Sequence, residues 1–102
     1  MIGKSFEDET EREMLKVMKV NVMGPLYLTK LVLPAMREAG KGHIINISSL
    51  AGLIGGPLIV DYCTSKFAVR GFTHALLAEL DHLQIKGVKV TSIHPHITKT
   101  GR

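Results

Sequence analysis

The chain holds 102 residues, 45% of them hydrophobic and 22% charged, with a formal charge of +4 and a pI near 9.4. That length suits one small domain and leaves no room for a second core. The basic residues are dispersed from Lys4 to Arg102, and five of the nine acidic residues fall between Glu7 and Glu13, so no concentrated basic surface supplies the counterion release that nucleic-acid binding needs.

In chain order, Ser5 with Asp8 three positions later gives a weak helix-start signal. From Phe6 to Ala39 the apolar spacing is helical, with Met14, Leu15, Met18, Val22, Leu26, Leu28, Leu31 and Leu33 on the apolar side. "NVMGP" interrupts it at Asn21 to Pro25. Proline removes a backbone donor and crowds the preceding turn, so a kink near Asn21 is predicted. Gly40 and Gly42 end the helix. "HIINIS", His43 to Ser48, is β-branched and apolar on both sides of the alternation, which predicts a buried strand of a parallel sheet. The glycines of "SLAGLIGGP" make a loop. A second helix is predicted over Tyr62 to Ile85, with Phe67, Val69, Phe72, Leu76, Leu80 and Leu83 apolar, and Gly87 stops it. "VKVTSI", Val88 to Ile93, is the second strand, and Pro95 opens an irregular tail.

Helix, strand, helix, strand is an α/β order, and its strand–helix–strand portion is a parallel crossover unit. Two parallel strands alone do not make a stable sheet, and parallel sheets need cover on both faces, so the fold reads as incomplete by itself.

"DYCTSKFAV" carries the chemistry. Tyr62 and Lys66, four apart, share a helical face about one turn apart. A phenol has a reference pKa of about 10, and a fixed ammonium beside it favours the phenolate. Such a hydroxyl exchanges a proton with an alcohol or ketone. Ser49 falls at the carboxyl end of the first strand, where ligands of open α/β sheets bind. A lone Tyr-x-x-x-Lys pair is common on solvated helix surfaces; the surrounding motifs are what single this one out.

The run "NVMGPLYLTKLVLPAM…GHIINISSLAGLIGGP…YCTSKFAVRGF" resembles the second half of a short-chain dehydrogenase/reductase over nearly the whole chain. The resemblance implies a partial Rossmann-like doubly wound parallel sheet, with residues 1–102 as a partial catalytic domain. It implies that Tyr62 is the general acid/base and that Ser49, thirteen residues earlier, orients the substrate carbonyl. Lys66 would bind the nicotinamide ribose hydroxyls and favour the deprotonated tyrosine. Asn21, at the helix kink, would hold a water in a proton relay. Pro95, Thr98 and Thr100 match cofactor-contacting positions after the last strand, where "HPHITKT" puts His96 in place of the family's usual glycine. That departure and "DYC" resemble the retinol and 17-beta-hydroxysteroid dehydrogenase branch, several of whose members lie on endoplasmic reticulum or lipid droplets. NAD or NADP is the implied cofactor. The family's Gly-rich βαβ unit, which presents a helix N-terminus to the pyrophosphate, is not in these 102 residues, and neither is the acidic residue that would separate NAD from NADP.

Other features carry less. Cys63 is the single cysteine, which excludes an internal disulfide and fits a reducing compartment. No apolar run approaches the roughly 18 to 20 residues of a bilayer span, and no signal peptide opens the chain. His94 and His96 lack a third partner at ligand spacing, so no metal is expected. In the resembled family the two long helices pack against their mates in a second subunit, which implies a homodimer. Two functions follow from these residues: an oxidoreductase acting on an alcohol or ketone, or a non-catalytic dimerisation module that inherits the same residues.

Overall fold

The structure, a computed structural model, describes residues 3–47 and 57–93. A 3₁₀ turn at Phe6–Asp8 precedes helix α1, Glu11–Met18. The helix therefore starts later than the Ser5 signal suggested. Thr10 provides the cap: its Oγ1 accepts the Glu13 N–H at 3.1 Å, and the Glu13 carboxylate accepts the Thr10 N–H at 2.9 Å. This complete capping box satisfies two donors that would otherwise lack partners. Ser5 instead donates to the Asp8 carboxylate at 2.9 Å and caps no backbone group. Lys4 Nζ meets both Glu13 carboxylate oxygens at 2.9 Å, tying the segment before the helix onto its first turn.

The predicted interruption takes the form of a π turn, Lys19–Met23, between α1 and α2, Gly24–Ala39. Pro25 has no N–H for the Asn21 carbonyl, its ordinary α-helical acceptor, and its ring crowds that carbonyl. Widening the turn relieves both, and the Gly24 N–H reaches back to Lys19 O. At the far end Gly40 adopts φ 71°, closing α2 with a left-handed residue as its glycine predicted.

Strand β1 is Gly42–Ile47 and β2 is Val88–Ile93, paired in parallel with Ile44 opposite Val90. Between them runs α3, Val60–His82, which ends before the predicted Ile85. Gln84 turns to φ 57°, and the Ile85 N–H bonds Leu80 O at 2.9 Å. Gly87 then adopts φ 86°, where an added Cβ would run into the Gly40 carbonyl oxygen. Only glycine allows the loop after α2 and the start of β2 to approach so closely. The Gly42 N–H donates to Gly87 O at 3.0 Å across that contact.

The core forms on one sheet face. Ile44, Val88 and Val90 meet Leu76 and Leu80 of α3, with Leu33 and Met36 of α2 packed against them. The strands were predicted to be buried on both sides. The described residues cover one: Ile45, Ile47 and Ile93 point the other way, with Ile47 64% exposed. Alternation along β1 decides this, since successive side chains face opposite sides and both helices lie on the Ile44 side.

Candidate active site

Helix α3 buries a stripe at near-heptad spacing: Ser65, Val69, Thr73, Leu76 and Leu80. Polar members of that stripe need partners. Thr73 Oγ1 accepts from Asn46 Nδ2 of β1 at 2.9 Å and donates to Val69 O at 3.0 Å. Ser65, with 0% of its surface exposed, accepts from Asn21 Nδ2 at 3.2 Å and donates to Tyr62 O at 2.7 Å. Beside this stripe, on the half-buried flank of α3, stand Tyr62 and Lys66.

Lys66 Nζ lies 5.5 Å from the centroid of the Tyr62 ring, the geometry that the four-residue spacing predicts. At the first turn of α3 the Tyr62 N–H donates to Asp61 Oδ1 at 2.8 Å, which anchors that turn. A cavity of about 490 Å³ opens between α2 and β1, and Lys66 and Asn21 line it with Thr29, Asn46, Val32 and Ile47. Ile47 ends β1, so the cavity reaches the carboxyl edge of the sheet, the place where open α/β sheets bind ligands.

The structure thus brings Asn21, Tyr62 and Lys66 together, although 41 residues separate the first two in the sequence. Ser49, Pro95, Thr98 and Thr100 lie outside the described residues. Sequence reasoning passed over Ser65. The signal for it was available: a serine placed four and eight residues before Val69 and Thr73 belongs to the buried stripe, where a hydroxyl must find partners.

The Lys66 ammonium carries three N–H donors and lines the cavity. A vicinal diol such as a ribose suits such a donor set beside a phenolic hydroxyl, and these residues fit the nicotinamide end of a dinucleotide. Also among the described residues, no helix is long and apolar enough to cross a membrane.

Comparison with known proteins gives the family. The family model for short chain dehydrogenase matches residues 1–102. Human estradiol 17-beta-dehydrogenase 11 is 44% identical over 86 residues, covering 84% of this chain and 29% of that protein. Human epidermal retinol dehydrogenase 2 is 41% identical over 99 residues, covering 97% of this chain and 32% of that one. The chain therefore spans about a third or less of the length of these relatives. Among solved structures, a short-chain dehydrogenase from Streptomyces avermitilis superposes with a TM-score of 0.82 at 34% identity, over 94% of this chain and 34% of that one.

Proposed function

The chain belongs to the short-chain dehydrogenase family, and we propose that it carries the catalytic half of an oxidoreductase that interconverts an alcohol and a ketone or aldehyde with NAD or NADP. The observation that supports this most is Lys66, whose ammonium lies 5.5 Å from the centroid of the Tyr62 ring and which lines a cavity together with Asn21.

Tyr62 is the general acid/base: its phenolic oxygen gives a proton to the substrate oxygen in reduction and takes one in oxidation. The positive charge of Lys66 offsets the negative charge that develops on that oxygen as the proton leaves, and its N–H groups bind the ribose hydroxyls. Asn21 holds a water that passes the proton onward to solvent. Ser49 orients the substrate carbonyl beside Tyr62, and Pro95, Thr98 and Thr100 contact the cofactor after the last strand. When bound, the nicotinamide supplies or accepts the hydride. Residues 1–102 act as a partial catalytic domain, since they contain no Gly-rich turn for the pyrophosphate.

The substrate is steroid-, retinoid- or lipid-like, a class suggested by the names of the relatives and by the apolar lining of the cavity. A place on the cytoplasmic side of endoplasmic reticulum or lipid droplets goes with that class. The protein pairs with a second copy through its long helices, where α2 exposes Tyr27, Leu28 and Leu31. That surface also favours a second reading, in which the chain is a dimerisation module without turnover of its own.

Titration of NADH and NADPH into the purified protein separates the two. The enzyme reading expects saturable binding of at least one, and Tyr62→Phe keeping that affinity while turnover disappears. Absence of binding, together with association onto a longer homologue, refutes it in favour of the module.

A further inference from the structure

We propose that Ser65 is a positioning residue that fixes which way the Asn21 side-chain amide faces; this rests on the oxidoreductase reading for its kinetic consequence, though not for its geometry. Serine is an indifferent helix former, and in a helix interior it competes with the backbone for hydrogen bonds. An alanine would suit the middle of α3 better on propensity alone. Yet Ser65 is wholly enclosed, and both ends of its hydroxyl are engaged.

A hydroxyl has one proton to donate. That proton goes to Tyr62 O, an acceptor that can do nothing else, at 2.7 Å. The remaining lone pairs accept, and the Asn21 group facing Ser65 is the NH₂, at 3.2 Å. The other end of the amide, Oδ1, is thereby left as the acceptor on the cavity-lining residue. With the Ser65 proton on Tyr62 O, reversing the amide would set oxygen against oxygen. Asn21 sits on the π turn, outside the regular helices on either side of it. The Ser65 hydroxyl therefore joins two elements 44 residues apart and transmits the position of the Tyr62 turn to the Asn21 amide.

The test uses the full chain, labelled with nitrogen-15, as wild type and Ser65→Ala. The alanine variant keeps the helix, which the backbone amide signals of Cys63 and Val69 report. The Asn21 side-chain NH₂ signals are expected to move towards those of a solvated amide, with exchange faster by about tenfold or more, the scale set by losing one partner of a hydrogen bond. Unchanged Asn21 signals overturn the proposal. Where wild type turns over an alcohol, Ser65→Ala is expected to lower kcat by about 10- to 100-fold, shift the pH profile of kcat and leave the cofactor KM within about twofold, because misplacement rather than lost binding is the fault. Ser65→Thr, which retains the hydroxyl, restores the profile. An unaltered kcat profile, or a change in KM alone, overturns the positioning role. A wild type that neither binds NADH or NADPH nor turns over favours the dimerisation-module reading instead, and the amide signals then decide this proposal by themselves.

Discussion

Helices α2 and α3 have similar shares of apolar residues but meet the rest of the protein differently. Seven residues of α3 are buried, while of α2 only Thr29 is, and Leu31 stands 76% exposed. α3 lies along the covered sheet face and supplies Leu76 and Leu80 to the core; α2 touches that core through Leu33 and Met36. The lesson concerns the site. Tyr62 and Lys66 ride on the firmly packed helix, whereas Asn21 belongs to the π turn that leads into the lightly packed one and is held to α3 by Ser65. Precision at such a site comes from the packed element, and the other element is brought into line by a directional hydrogen bond.

The contrast can be broken or sharpened experimentally. The largest effect is expected from Lys66→Ala, which removes the cation beside Tyr62: kcat/KM should fall by about 10² to 10⁴, with cofactor affinity falling too. Steady-state kinetics and cofactor titration check it, and a variant weakened in binding alone would deny Lys66 a part in the proton step. Next, Leu80→Ala should cost about 2 to 4 kcal/mol, because it empties part of the core, whereas Leu31→Ala on the exposed face of α2 should change stability by less than about 0.5 kcal/mol. Urea denaturation measures both; equal costs would mean that the Leu31 side is covered in solution, as a second copy of the chain would do. Gly87→Ala should cost about 2 to 3 kcal/mol, since it places a side chain at φ 86° and against the Gly40 carbonyl.

The smallest expected effect concerns the N-terminal segment on α1. The Thr10 N–H first, and the Lys4 ammonium second, hold the Glu13 carboxyl down to about 2, against an ordinary value of 4.5. A depressed folded-state value means that the stabilisation is complete above about 4.5 and is lost as pH falls from there towards 2. Thermal melts of wild type between those limits should therefore slope with pH, and Glu13→Gln should flatten the slope. An unchanged slope in that variant would place the acid sensitivity elsewhere.

Much was legible from local pattern. The π turn at Asn21 follows from the position of Pro25, the end of α2 from Gly40, and β2 from its alternation, because each depends on neighbours within a turn or two of chain. The Tyr62–Lys66 pairing belongs to the same class: a four-residue spacing on any helix puts two side chains together. Helix starts were less legible. Ser5 and Thr10 both precede an acidic residue at the right distance, and only Thr10 leads into an α-helix, whereas Ser5 leads into a single 3₁₀ turn.

What the sequence determined alone, then, is the order of elements, the α/β class and the sharing of one helical face by Tyr62 and Lys66. Tertiary structure decided which sheet face is covered, that Asn21 arrives beside α3, and that Ser65 rather than another hydroxyl receives it. The reason is physical: periodicity fixes which residues share a face, but what that face meets depends on contacts between segments 27 to 44 residues apart, such as Asn46 with Thr73 and Asn21 with Ser65. No local spacing encodes such contacts.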